Sequence, residues 1–321
     1  MLKNNKYCKH LILNINIIEK EVLIMELGMI GLGKMGMNMV FRLLEGGHKV
    51  VVFNRTLSKE EIAINKGAVG SNSIKEFVSK LTAPRIIWLM VPAGQPTDDM
   101  LNEVLQYTQN GDIVIDGGNS YYKDSIRRAK VCADKNIKFM DCGTSGGIWG
   151  LKNGYCSMIG GDEDTFKHCE PIFKTLAPEN GYMHTGQHGA GHFVKMVHNA
   201  IEYGMMEAHA EGFEIMKASD FDIDLTKVSD LWNHASVVRS WLLELAHNAL
   251  KEDPELNGLK PIVDDSGEGR WTLQEAIDRA VPAPVLADSV FMRFRSRQEN
   301  SFAARMLSAL RHQFGGHPIH K

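Results

Sequence analysis

The chain has 321 residues, enough at roughly 100–200 residues per domain for about two domains with full cores, so a small fold held together by disulfides or metal is excluded. Hydrophobic residues make up 44% and charged residues 23%, ordinary globular usage that leaves no room for a largely disordered or collagen-like chain. Lys and Arg number 36 against 39 Asp and Glu, and a net charge of -3 offers no general attraction to polyphosphate, so nucleic acid is not an expected partner.

Residues 1–24 precede Met25, where MELGMIGLGKMG already has the form of a buried strand running into a glycine turn, so this leader is expected to be an artefact of start-site choice. Its apolar run 11–18 is interrupted by asparagines, no small-residue cleavage site follows it, and nothing in the chain approaches the ~18 apolar residues of a membrane helix. Cys8, Cys132, Cys142, Cys156 and Cys169 are odd in number and form no CxxC pair, which argues against a disulfide framework and a metal site and for a reducing cytoplasm.

Strand candidates follow at 27–30, 49–53, 85–91, 112–116, 138–141 and 155–159, alternating with amphipathic stretches up to about Gly189. This alternation predicts an α/β domain over 25–190 with a Rossmann-type, doubly wound parallel sheet. Helical patterns then dominate 191–321, starting near His192 and continuing at 231–250, 272–280 and 289–314, with the polar run DDSGEGR at 264–270 as a break.

The first constellation is GLGKMG, residues Gly31, Leu32, Gly33, Lys34, Met35 and Gly36, placed after one strand, before the helical pattern 37–45 and ahead of a second strand. Glycines at this spacing let backbone approach a pyrophosphate, and the helix N-terminus supplies oriented N–H groups and partial positive charge. The second strand ends in Asn54, Arg55 and Thr56, where NAD enzymes carry an acid for the ribose 2′-hydroxyl. A guanidinium there suits a 2′-phosphate, so NADP is the expected cofactor, with NAD possible. The bland alternative is a solvated surface arginine.

Three further loops fall at strand ends, where an open α/β sheet places its ligands: VPAG with Val91, Pro92 and Ala93, DGGNS with Asn119, and GTSGG with Ser145, Gly146 and Gly147. Within GAGHFVKMVHNAIEYG, Lys195, His198, Asn199 and Glu202 stand at i, i+3, i+4 and i+7, which brings four side chains to one helix face. Val194, Val197 and Ile201 bracket that stripe, so the helix is expected to be buried on several sides rather than presenting a solvated polar face. In a cleft, desolvation lowers the lysine pKa toward the range where general base catalysis works. Arg293, Arg295, Arg297, Arg305 and Arg311 near the C-terminus either cover surface or gather an anionic group, and spacing alone leaves both open.

GLGKMGMNM, FNRT, IDGGNSYYKDSIRR, SGG and KMVHNAIEYG together closely resemble the decarboxylating 6-phosphogluconate dehydrogenases, from about Met25 to the C-terminus. The resemblance implies oxidative decarboxylation of 6-phospho-D-gluconate to ribulose 5-phosphate and CO₂ with reduction of NADP, Lys195 being the general base and Glu202 the general acid. It further implies that Asn119, Ser145, Gly146, Gly147, His198 and Asn199 hold the sugar acid and that Tyr203 and Arg293 meet its phosphate. RHQFGGH is similar to the family's tail motif, so Arg311 and His317 are expected to complete the pocket of a neighbouring subunit in a homodimer or homotetramer. The chain is shorter than the long form and looks like the short-form branch, many of whose members prefer NAD. Where the long form has a phosphate-binding lysine before Gly-Lys-Trp-Thr, this chain has Ser266-Gly-Glu-Gly-Arg270-Trp-Thr, which puts that phosphate contact in doubt. The rival readings are a dehydrogenase of an unphosphorylated 3-hydroxy acid and a non-catalytic nicotinamide-binding regulatory protein.

Overall fold

A computed structural model describes residues 23–320; the expected leader lies outside the described residues except for its last two, Leu23 and Ile24, which are exposed. In chain order the elements of the first domain are β1 (Glu26–Ile30), α1 (Lys34–Glu45), β2 (Lys49–Phe53), α2 (Leu57–Ile64), α3 (Ile74–Ser79), β3 (Ile86–Leu89), α4 (Gln95–Val104), β4 (Ile113–Asp116), α5 (Tyr122–Ala133), β5 (Lys138–Ser145), α6 (Gly150–Asn153), β6 (Cys156–Gly161), α7 (Glu163–Leu176) and β7 (Tyr182–Gly186). They form a seven-stranded sheet in the order β2-β1-β3-β4-β5-β6-β7. The strands alternate their apolar side chains between two helix-covered faces: Ile86, Trp88, Ile113 and Ile115 join one core cluster, Ile87, Leu89 and Val114 the other. Burial on both faces is why β3 and β4 are almost uniformly apolar.

The expected doubly wound sheet is present with one departure from parallel pairing: β5 and β6 run antiparallel, Gly143 facing Met158. The connection 146–155 holds only a short helical turn and α6, too little chain to carry the strand back to the opposite end of the sheet. β7, parallel to β6, was not among the expected strands; its sequence YMHTG is polar and partly exposed at the sheet edge, with no apolar run to announce it.

The C-terminal half contains α8 (Ala190–Lys217), α9 (Leu225–Asn233), α10 (Trp241–Glu252), α11 (Glu268–Asp278), α12 (Pro284–Ser296) and α13 (Phe302–Gly315). Two expected helices are each divided. The stretch 231–250 breaks where Ala235 takes φ 60° and Ser240 caps α10 by accepting from Leu243 N, and 289–314 breaks where Ser301 caps α13 by accepting from Ala304 N. Helix α8, about 42 Å long at 1.5 Å per residue, begins on the sheet and ends among the other helices. Its N-terminus is held by the buried Asp141 of β5, whose carboxylate accepts from Gly189 N at 2.6 Å and His192 N at 2.8 Å. Gly191 allows the close approach, since a Cβ there would lie 2.5 Å from Met158 O and 2.7 Å from Asp141 O. No described helix is long and apolar enough to cross a membrane.

Candidate active site

The order of the strands reverses between β1 and β3, so the crevice of this sheet opens beyond their C-terminal ends. There Gly31 takes φ 97° and its N–H donates to Phe53 O at 3.0 Å, turning the chain sharply from β1 into α1. Gly33 occupies the N-cap of α1 without a side-chain cap, and a Cβ on it would meet nothing within 4 Å. The first turn of α1 therefore faces an open cradle whose backbone N–H groups suit a pyrophosphate. Met35 lines the adjoining cavity and Lys34 is exposed, whereas the Leu32 side chain is buried in the core.

Asn54 ties the end of β2 to this loop: its Oδ1 accepts from Leu32 N at 2.9 Å and its Nδ2 donates to Thr56 O at 3.1 Å. Glu60 is the acid near the strand end, but it is buried and turned inward, accepting from Asn54 N at 2.5 Å and Ser71 N at 3.4 Å. Arg55 is left exposed and, among the described residues, without a hydrogen bond or ion pair. After β3, Val91 lines the cavity while Pro92 O accepts from Thr97 Oγ1 at 2.8 Å, and Ala93 follows in the same loop before α4.

A cavity of about 850 Å³ lies between the sheet's C-terminal edge and the helical half. Asn119, Ser145, Gly146 and Gly147 border it from the loops, and Lys195, His198, Asn199 and Glu202 from one face of α8. Lys195 is 8% exposed, with Nζ 3.4 Å from His198 Nδ1. Burial pushes its amine below the ordinary 10.5, opposed by the negative charges of Glu202 and Glu268. His198 Nδ1 donates to Asn199 Oδ1 at 3.0 Å, because the Asn199 amide nitrogen is turned to Glu268 Oε1, also at 3.0 Å. The same carboxylate oxygen accepts from Asn119 Nδ2, and Oε2 accepts from Ser266 Oγ at 2.7 Å.

Tyr203 and Arg293 stand behind this wall. The Tyr203 hydroxyl accepts from Ser266 N at 3.1 Å, and the Arg293 guanidinium lies 3.6 Å from the Tyr203 ring centroid. Arg270 faces elsewhere: its Nε donates to Asp265 Oδ2 at 2.6 Å, and with Arg297 it holds that carboxyl down to about 2. Arg311 and His317 are exposed and do not line the cavity of their own chain. The expected burial around the α8 stripe holds for Val197 only in part and fails for Val194 and Ile201, which are exposed by 37% and 51%.

Glu268 escaped the sequence reading although it is 1% exposed and central to the polar contacts of the cavity. Its signal was a lone acid between two glycines at a helix start, the form of an ordinary N-terminal turn. Trp149, Trp241 and Met205 also line the cavity and had no local signature of doing so. Among the described residues no group of His, Cys, Asp and Glu could hold a metal ion.

The pattern of the NAD binding domain of 6-phosphogluconate dehydrogenase matches residues 26–186, and that of the 6-phosphogluconate dehydrogenase C-terminal domain matches residues 191–317. YqeC of Bacillus subtilis, a candidate 6-phosphogluconate dehydrogenase by its name, is 44% identical over 297 residues, covering 92% of this chain and 100% of that one. The NAD(+)-dependent, decarboxylating 6-phosphogluconate dehydrogenase of Haloferax volcanii is 40% identical, with 92% and 98% covered. The Plasmodium falciparum 6-phosphogluconate dehydrogenase, solved apo, with NADP+ and with 6-phosphogluconate, superposes with a TM-score of 0.79 at 30% identity, covering 92% of this chain and 66% of that one.

Proposed function

The chain belongs to the 6-phosphogluconate dehydrogenase family, and from that premise we infer that it oxidatively decarboxylates 6-phospho-D-gluconate to ribulose 5-phosphate and CO₂, using NADP or NAD. The observation that carries the reading is the placement of a buried, desolvated lysine and a glutamate one helical repeat away on the same wall of a cavity that adjoins the glycine-turn cradle. The open backbone at Gly33 and the uncapped start of α1 fit a dinucleotide, which Gly31 to Gly36, Asn54 to Thr56 and Val91 to Ala93 would hold. When bound, its nicotinamide supplies the hydride acceptor.

Lys195, whose ammonium form burial disfavours, acts in its neutral form to take the proton of the substrate's C3 hydroxyl as that carbon is oxidised. The protonated lysine then stabilises the developing enolate oxygen as the 3-keto acid loses CO₂. Glu202 delivers a proton to C1 of the enediol while Lys195 takes back the proton of the C2 hydroxyl, which completes the ketose. Asn119, Ser145, Gly146, Gly147, His198 and Asn199 surround the sugar acid, so residues 25–190, the dinucleotide-binding domain, also contribute to the substrate pocket that 191–321 completes. Tyr203 and Arg293, stacked behind Ser266, supply the phosphate contact, and Arg270 does not, being paired with Asp265.

The C-terminal helix supports a homo-oligomer. No residue of α13 is buried, and Phe302, Met306, Leu310 and Phe314 recur every fourth position, all exposed. Such a stripe calls for a partner surface, and we assign to a second copy the pocket that Arg311 and His317 complete. A reducing cytoplasm suits the free thiols of Cys132, Cys142, Cys156 and Cys169. The test is nicotinamide reduction with 6-phosphogluconate, run with NADP and with NAD, beside a 3-hydroxy acid lacking the phosphate. Turnover of the phosphate ester alone is expected; equal turnover of the unphosphorylated acid would overturn the substrate assignment, and cofactor binding without turnover of either would overturn the enzyme reading.

A further inference from the structure

Glu268 sits at the N-terminal end of α11 with its carboxylate buried against the cavity, and among the described residues it forms no ion pair. A buried carboxylate is costly unless its oxygens are occupied, and three donors occupy these: Asn119 from the β4–α5 loop, Asn199 from α8 and Ser266 from the segment ahead of α11. An ionised carboxylate only accepts hydrogen bonds, so every amide touching it must turn its nitrogen toward it. Asn199 then has its oxygen directed to His198 Nδ1, and Asn119 keeps its oxygen and one N–H for a ligand. One side chain thus fixes the orientation of two amides contributed by both halves of the molecule.

The hydrogen bonds alone do not require a charge, because a glutamine carbonyl could accept from both asparagines. What the charge adds is a negative field within the cavity that Lys195 shares. We propose that Glu268 is a positioning residue of this site, orienting the Asn119 and Asn199 amides and setting the electrostatic field in which Lys195 works. The titratable groups facing Lys195 are His198 and Glu202 on its own helix, Cys156 from β6 and Glu268 from α11, while Tyr203 and Arg293 stand behind Ser266. Of these, Glu268 and Glu202 raise the lysine's proton affinity against the effect of its burial.

The kinetic consequence rests on the reading of the site as a 6-phosphogluconate dehydrogenase; the titration consequence does not. The experiment compares the intact chain with Glu268→Gln and Glu268→Leu. In one arm, trace acetic anhydride labels Lys195 across a pH series and mass spectrometry gives its titration midpoint with no substrate present. Removing the negative charge should move the midpoint in Glu268→Gln to lower pH by about one unit, the size expected of a single charge in a shared pocket. In the other arm, the acid limb of kcat/KM for 6-phosphogluconate should move the same way, because the base must be deprotonated. Glu268→Gln should keep KM within about threefold, and Glu268→Leu, which cannot accept from either amide, should raise it roughly tenfold or more. Coincident midpoints in wild type and Glu268→Gln would overturn the electrostatic role; an unchanged KM in a Glu268→Leu protein that melts normally would overturn the orienting role. Failure of the wild type to oxidise 6-phosphogluconate would count against the proposed substrate, and the labelling arm would still decide the inference.

Discussion

Adding a single methyl group at Gly143 tests how the lysine is placed. Gly143 lies in β5 under α8, and an ideal Cβ there would fall 2.3 Å from the Lys195 Cβ, 2.9 Å from Gly191 O and 3.0 Å from the Lys195 Cγ. Its φ is not positive, so alanine suits the backbone and the effect of Gly143→Ala is steric alone. Ordinary contact begins near 3.4 Å, so strand and helix must part by about 1 Å where Lys195 leaves α8. Overpacking of that kind costs ~1–3 kcal/mol, a fall of a few degrees in Tm for a chain of this size. A reacting group misplaced by about 1 Å costs on the order of 100-fold in rate. We expect kcat/KM for 6-phosphogluconate to fall about 100-fold while equilibrium binding of the nicotinamide cofactor, which the glycine turn ahead of α1 would hold, stays unchanged and certifies the fold. Wild-type kcat/KM together with an unchanged Tm would refute the view that the β5–α8 contact places the lysine.

Lys195→Met should abolish cofactor reduction even in a single turnover, whereas Glu202→Gln should reduce cofactor once and then stall at protonation of the enediol; each lost group should cost about 10²–10⁴-fold, and rapid-mixing kinetics separates the two. Arg55→Ala should weaken NADP binding by about 10- to 150-fold and leave NAD binding nearly untouched, since Arg55 has no partner among the described residues; equal losses in titrations with both cofactors would remove its assignment to the 2′-phosphate. Mixed oligomers of Arg311→Ala and Lys195→Ala subunits should recover activity by pairing an intact tail with an intact base, and mixed species as inactive as their parents would end the shared-pocket idea. Tyr122, Lys123 and Arg279 hold the Glu275 carboxyl down to about 2, well under its ordinary 4.5. The stability this depressed carboxyl contributes is full above about pH 4.5 and lost as pH falls toward 2, so Glu275→Gln should flatten the acid side of a Tm against pH curve; an unchanged slope would show that the α5–α11 cluster adds nothing.

Local chemistry alone makes much of this protein legible. The glycine turn and its flanking strands are adjacent in the chain, and the 3.6-residue repeat alone brings Lys195, His198, Asn199 and Glu202 to one face of α8. Which wall that face forms could not be read in the same way, because Val194 and Ile201 are apolar yet exposed, and apolarity does not say which neighbour a side chain meets. The direction of β6 depended on how far the connection 146–155 can reach, a property of the folded path rather than of strand composition. The part Asn54 plays in shaping the glycine turn was not legible either: its side chain bonds Leu32 N and Thr56 O, and Arg55 is left exposed beside it. Glu268 is the clearest case: it meets Asn119 and Asn199, which are 149 and 69 residues distant in the chain. Periodicity and turn chemistry carry information only across a few residues, so sequence determined the elements and the faces they present. The convergence of two distant amides on one buried carboxylate was decided by how the sheet and the helices pack.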